Sequence, residues 1–211
     1  MTEPRAGAGD APDVVDKKAL RKRLLAERRA MPDRDERAAR LADNLVHWLE
    51  QHPFATVGAY WPIRGEFDPL PALARWQAAA PAGTTREIGL PVIETATSHL
   101  RFHGWWPGAP MLPDQYGIPT PDGTPRVEPD VLLVPCVGFA PGGFRLGYGG
   151  GYYDRTLGAA GPHPATLGIA YAAGFVPELP VEVHDIALDG VLTEDGEADV
   201  RIGGDSGPAT S

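Results

Sequence analysis

The chain has 211 residues, 43% of them hydrophobic and 22% charged, which suits one globular domain large enough to bury a real core. A net charge of -9 argues against broad electrostatic binding to nucleic acid, and the single cysteine, Cys136, excludes a disulfide framework or a cysteine-rich zinc site. No apolar run approaches the roughly 20 residues of a bilayer span, and the first residues lack the apolar core of a signal peptide; a cytoplasmic protein without membrane or nucleic-acid partners is expected.

Residues 1–13 and 203–211 are rich in Gly, Ala, Pro and Ser and read as disordered tails around a single domain over 14–202. Asp16 is placed to cap a helix through "KKALRKRLLAERRAM", whose Leu20, Leu24 and Met31 fall near one face. Most of its basic residues read as a solvated surface, although Lys17 and Arg21 stand one turn apart and could jointly hold a polyphosphate. A second helix follows, with Asp33 and Glu36 spaced as a capping box and Leu41, Leu45, Trp48 and Leu49 forming an apolar stripe.

Beyond these helices the period changes. "FATVGAYW", "EIGLPVI", "DVLLVPCVGF" and "ATLGIAY" are short β-branched or apolar runs, with the helical stretches "LPALARWQAAA" and "YYDRTLGAA" between them. Strands alternating with helices predict an α/β domain, a mostly parallel sheet covered on both faces, with ligands bound beyond the carboxyl ends of the strands. Cys136 lies inside an apolar run and reads as a packed core residue.

The stretch "GFRLGYGGGYYDR", Gly143 to Arg155, holds five glycines, three tyrosines, two arginines and an aspartate. Such loops suit phosphate, because bare amides converge on an anion, yet neither GxxxxGK[ST] nor GxGxxG is present. A tight structural turn remains open as the plainer explanation. Arg145 offers a phosphate fork and Asp154 a ligand for magnesium. Glu66, in "AYWPIRGEFDP", follows the first strand; it could accept paired hydrogen bonds from a ring amide and amino group, or simply cap the next helix. "HDIALDGVLTEDG" adds His184, Asp185 and Asp189, as a second carboxylate for the metal or as turn residues.

These segments, in this order, resemble the 5-formyltetrahydrofolate cyclo-ligase family, also called methenyltetrahydrofolate synthetase. The resemblance rests on "LLVPCVGFAPGGFRLGYGGGYYDR", "KKALRKRLLAERRAM", "YWPIRGEFDP", "YGIPTP" and "LDGVLTEDG". It implies a NagB/RpiA/CoA-transferase-like fold and a monomer acting on ATP and 5-formyltetrahydrofolate with Mg²⁺. By matching positions, it implies ATP contacts at Lys17, Lys18, Arg21 and the run Arg145, Leu146, Gly147, Tyr148, Gly149, Gly150, Gly151, Tyr152 and Tyr153. It implies folate contacts at Trp61, Glu66, Tyr148, Gly149, Gly150, Gly151 and Tyr152, and metal ligands at Asp154 and Asp189. Arg145 and Tyr152 are the expected catalytic groups, and Arg145→Ala is expected to cut turnover while leaving folding nearly intact. The loop chemistry alone would also serve an ATP-using enzyme of the same fold with another substrate.

Overall fold

The computed structural model describes residues 16–95, 99–159 and 163–198. The expected tails, and residues 14–15 and 199–202 of the expected domain, lie outside the described residues. Two helices come first, α1 (Lys17–Ala30) and α2 (Arg34–Glu50), then β1 (Thr56–Gly58), α3 (Leu70–Ala78), β2 (Glu87–Val92) and β3 (Arg101–Trp105). Short elements follow: β4 (Met111–Pro113), β5 (Pro119–Pro121), β6 (Arg126–Val127), β7 (Val131–Pro135), β8 (Gly138–Phe139) and β9 (Arg145–Leu146). The chain closes with α4 (Tyr152–Leu157), β10 (Ala165–Ile169), β11 (Gly190–Thr193) and β12 (Gly196–Glu197).

The main sheet runs β12-β11-β10-β7-β1-β2-β3-β6. Its centre, β11-β10-β7-β1-β2, is parallel, while β3, β6 and β12 join antiparallel at the edges. The expected parallel α/β sheet is therefore present, widened by antiparallel strands.

Alternation along the strands sorts the core into two layers. Val131 and Leu133 of β7 pack with Leu41, Leu45, Trp48 and Leu49 of α2 and with Leu73 and Trp76 of α3. Leu132 and Val134 face the other side, with Leu157 of α4 and Val191 of β11. Truncating a fully buried leucine such as Leu41 or Leu45 to alanine would cost about 2–5 kcal/mol. A third cluster seats Leu20 and Leu24 of α1 on Val137 and Leu146, at either end of the β8–β9 hairpin.

The start of α1 is as expected, with Asp16 Oδ1 accepting from the Lys18 amide at 2.8 Å. The capping box at α2 is not formed. Asp33 sits at φ 56°, in the left-handed region, and its side chain makes no capping bond. Capping needs an extended N-cap residue, and the turn after Pro32 denies it.

The topology has one switch point. From β1 the chain passes through α3 to β2 on one side, and from β7 it passes through α4 to β10 on the other. Loops leaving the carboxyl ends of adjacent β1 and β7 therefore diverge and open a crevice, the usual ligand position in such sheets.

Candidate active site

Two loops and one helix line that crevice. The loop after β1 carries Trp61, Arg64 and Glu66; the segment after β7 carries Cys136 and leads through the β8–β9 hairpin to the glycine loop; α1 lies over the latter.

Spacing along α1 decides what it presents. Positions 17, 21, 24 and 28 share one face at helical period. Leu24 is buried in the third cluster, while Arg21 Nε donates to the Gly147 carbonyl at 2.6 Å. Lys17 is taken by Asp185 at 2.8 Å and Glu182 at 3.3 Å. Burial alone would lower the Lys17 pKa, but those two carboxylates outweigh it and raise it. Lys18 contributes its amide to the Asp16 cap and leaves its side chain exposed.

In the glycine loop, Gly149 has φ +89°, and a Cβ there would stand 3.6 Å from the Arg21 guanidinium carbon. Among the described residues the amides of Tyr148, Gly149 and Gly150 donate to no other group, and Gly149 and Gly150 are exposed. This is a run of free donors beside a cation. The helix it opens, α4, has only six residues, so an anion placed here would be held by amides and guanidinium groups, with little from the helix dipole. At the loop's other end the approach is backbone to backbone: Gly143 has φ +78°, its carbonyl accepts from the Leu188 amide at 2.9 Å, and a Cβ there would come within 2.1 Å of the Leu188 carbonyl oxygen.

The Arg145 side chain is largely enclosed and both of its terminal nitrogens are engaged. It donates to Asp154 Oδ1 at 2.6 Å and to the Ile186 carbonyl at 2.7 Å, joining α4 to the segment before β11. Leu146 is a core residue of the third cluster.

Tyr152 and Tyr153 diverge, as neighbours at a helix start must. The Tyr152 hydroxyl meets the Tyr116 hydroxyl at 2.8 Å, and Arg155 lies over its ring at 4.7 Å. Tyr153 turns inward, where burial first and then the Glu66 carboxylate push its pKa up.

Glu66 holds the site's unsatisfied atom. Its Oε2 accepts from the Ile63 amide at 2.7 Å, and its Oε1 is buried without a hydrogen-bond partner among the described residues. Desolvation raises its pKa, opposed by the Ile63 amide, Tyr148, Arg28 and Arg64. Glu66 does not cap α3; Asp68 does that work, accepting from the Leu70 amide at 3.0 Å. Trp61 is partly buried against the first core layer. Cys136 is buried, with its thiol pushed up to about 11 chiefly by desolvation, and so is a poor nucleophile.

The donor chemistry of Asp154 and Asp189 fits a hard cation: each has one oxygen engaged and one without a partner among the described residues. They are supplied by different elements, Asp154 by α4 and Asp189 by the residue before β11. Asp189 Oδ2 accepts from the Thr166 amide at 2.8 Å and the Thr166 hydroxyl at 2.7 Å, tying the amino ends of β10 and β11 together, whereas Glu66 and the glycine loop follow the carboxyl ends of their strands. The one compact group of potential metal ligands among the described residues is Glu182, His184 and Asp185, beside Lys17.

Arg28 escaped the sequence reading. It is 6% exposed, donating from Nη2 to the Cys136 carbonyl and from Nη1 to the Tyr148 hydroxyl at 3.2 Å. The available signal was its place on the Lys17–Arg21–Leu24 face.

The chain is similar to known proteins along most of its length. The profile of the 5-formyltetrahydrofolate cyclo-ligase family matches residues 13–194. The 5-formyltetrahydrofolate cyclo-ligase of Haemophilus influenzae is 31% identical over 160 residues, 72% of this chain and 82% of that protein. That of Mycolicibacterium smegmatis is 31% identical over 192 residues, 84% of this chain and 93% of its own. The NMR structure of Aquifex aeolicus 5,10-methenyltetrahydrofolate synthetase superposes with a TM-score of 0.72 at 29% identity, over 91% of this chain and 96% of the other. A 5,10-methenyltetrahydrofolate synthetase from Mycoplasma pneumoniae gives 0.66 at 25% identity, over 85% and 99%. With the profile spanning nearly all the described residues and the glycine loop and Glu66 meeting at the switch point, the chain belongs to the 5-formyltetrahydrofolate cyclo-ligase family.

Proposed function

We propose that this enzyme converts 5-formyltetrahydrofolate and ATP to 5,10-methenyltetrahydrofolate, ADP and phosphate. The observation that carries the reading is the buried Oε1 of Glu66, without a well-formed hydrogen bond, beside a glycine loop that offers a run of free amides and is held by Arg21. A carboxylate in that state suits the paired N–H donors of a pterin edge, and the amides suit a polyphosphate.

The chemistry follows from the substrate. The N5-formyl group is amide-like, so its oxygen does not leave unaided. That oxygen attacks the γ-phosphorus of ATP, the bond to the β-phosphate oxygen breaks, and ADP departs. N10 then attacks the activated carbon, the five-membered ring closes, the carbon–oxygen bond breaks, phosphate leaves with the former formyl oxygen, and the N10 proton is released.

The chain's part is orientation and charge. Arg21 and the Tyr148–Gly150 amides would hold the phosphates, with Lys17 joining once it leaves Asp185. Glu66 would fix the pterin so that the formyl oxygen points along the γ-phosphorus axis; such alignment contributes about 7–11 kcal/mol to effective reactions of this type. Tyr152, whose hydroxyl already meets Tyr116, would border the folate's exposed side. Magnesium bound to the polyphosphate supplies charge neutralisation. Asp154 and Asp189 would each offer it one oxygen without rearrangement, Asp154 from α4 directly after the glycine loop and Asp189 from the start of β11, its other oxygen still on Thr166.

Purified protein mixed with MgATP and 5-formyltetrahydrofolate should develop the methenyl absorbance and release ADP in equal amount. Formation of ADP without the methenyl product, or of neither, would remove this reading.

A further inference from the structure

Arg28 stands two turns beyond Arg21 on the same face of α1 and is buried without an ion pair among the described residues. A buried guanidinium is costly, and α1 does not need it for packing, since Leu20 and Leu24 already seat the helix. Its nitrogens go to the Cys136 carbonyl, at the carboxyl end of β7, and to the Tyr148 hydroxyl in the glycine loop. Tyr148 is thus held from three directions: Arg28 on its hydroxyl, Arg64 over its ring at 5.4 Å, and Arg21 on the carbonyl of the preceding residue. The carboxylate on which Arg28 acts is Glu66, which the Tyr148 hydroxyl also stabilises and whose Oε1 lacks a well-formed hydrogen bond among the described residues.

We propose that Arg28 is a positioning residue for the folate: by holding Tyr148 and the Cys136 carbonyl from beneath, it seats the glycine loop beside Glu66, so that a pterin reaching Glu66 finds Tyr148 in place. This rests on Glu66 as the pterin acceptor. Arg21 anchors the same loop independently at Gly147, which assigns the two arginines separate duties: Arg21 serves the nucleotide and Arg28 the folate.

The test is steady-state kinetics of Arg28→Lys, Arg28→Met, Tyr148→Phe and Arg28→Lys/Tyr148→Phe, with Arg21→Ala as contrast. Arg28→Lys and Tyr148→Phe should each raise KM for 5-formyltetrahydrofolate about tenfold, the loss of one charge-assisted hydrogen bond, and move KM for ATP less than about twofold. The double variant should be no worse than the poorer single, because both remove one contact. Arg21→Ala should show the opposite split.

A pH profile separates positioning from mere support. Glu66 is faced by Arg28 of α1, Arg64 and Tyr60 of its own segment, Tyr148, Tyr153 and Cys136. Removing the Arg28 cation makes Glu66 harder to ionise, so in Arg28→Met the acid limb of kcat/KM for the formyl substrate should move to higher pH. If Arg28→Met does not fold, Arg28→Lys and Tyr148→Phe decide the matter. Equal changes in both KM values, additive losses, or an Arg28→Lys enzyme like the wild type would overturn the role of Arg28. A wild-type enzyme that forms no methenyl product would instead overturn the proposed function itself.

Discussion

Arg145 and Asp154 form a 2.6 Å ion pair in which the arginine side chain is 6% exposed and the aspartate 30%. The same guanidinium also holds the Ile186 carbonyl, so this residue fastens the loop, α4 and the segment before β11 to one another. An alanine at 145 would strip partners from both acceptors. Arg145→Ala is therefore expected to lower stability by about 2 kcal/mol as well as turnover, contrary to the expectation that folding would be nearly intact. Urea unfolding of Arg145→Ala and Arg145→Lys beside ADP release will check this, and an unchanged midpoint in the alanine variant would refute the structural share.

Glu66 leads to a prediction in which stability and binding move oppositely. Its pKa is raised by burial, so its ionised form is the disfavoured one in the folded protein. The sign follows: the folded state gives up stability as pH rises from the ordinary glutamate range through the raised value, and the deficit is complete above it. Glu66→Gln should thus be slightly more stable than wild type at neutral pH, by about 1 kcal/mol or less, with the advantage vanishing in acid. Calorimetry should show weaker 5-formyltetrahydrofolate binding with ATP binding little changed. A glutamine variant that loses both ligands equally would take Glu66 out of the pterin site.

The two acidic candidates for magnesium should separate. Asp189→Ala removes the acceptor of two Thr166 hydrogen bonds and should cost about 1–3 kcal/mol, lowering Tm while leaving the magnesium concentration for half-maximal rate in place. Asp154→Asn should raise that concentration. A magnesium titration in which Asp189→Ala shifts and Asp154→Asn does not would reverse the assignment.

Lys17 is restrained by carboxylates that compete with phosphate. Asp185→Asn removes the 2.8 Å partner and leaves Glu182, which is half exposed, as the weaker hold. KM for ATP should fall by about twofold to threefold at low ionic strength, the size of a partly exposed ion pair, and the gain should fade as salt rises. A KM that rises instead would mean that Asp185 presents Lys17 to the nucleotide.

Much of this was legible in the sequence because periodicity and turn chemistry agree for the longer elements. The α2 stripe, four of the five central strands (β1, β2, β7 and β10) and the helix after the glycines appear where their patterns put them. Strands β3, β6 and β12, and the β4–β5 pair, were not read, because they are short and interrupted by Pro and Gly, leaving too few residues to show a period of two. The capping box failed since residue type does not reveal the left-handed backbone at Asp33. Arg28 shows the deeper limit. A buried arginine among six other basic residues of its helix looks like any solvated charge until its acceptors, a carbonyl after β7 and a hydroxyl 120 residues away, are known. Likewise, the sequence brought Asp189 and Asp154 forward as one pair but gave no sign that Asp189 also ties the start of β11 to Thr166 of β10.

The contact between Gly143 and Leu188 leaves no room for even one methyl group between two distant stretches of chain. Whoever tries to transplant the glycine loop into another scaffold must therefore bring the peptide leading into β11 along with it. The movable unit is a bipartite one whose second half contributes shape and not chemistry, and a graft limited to residues 143–155 would arrive without its floor.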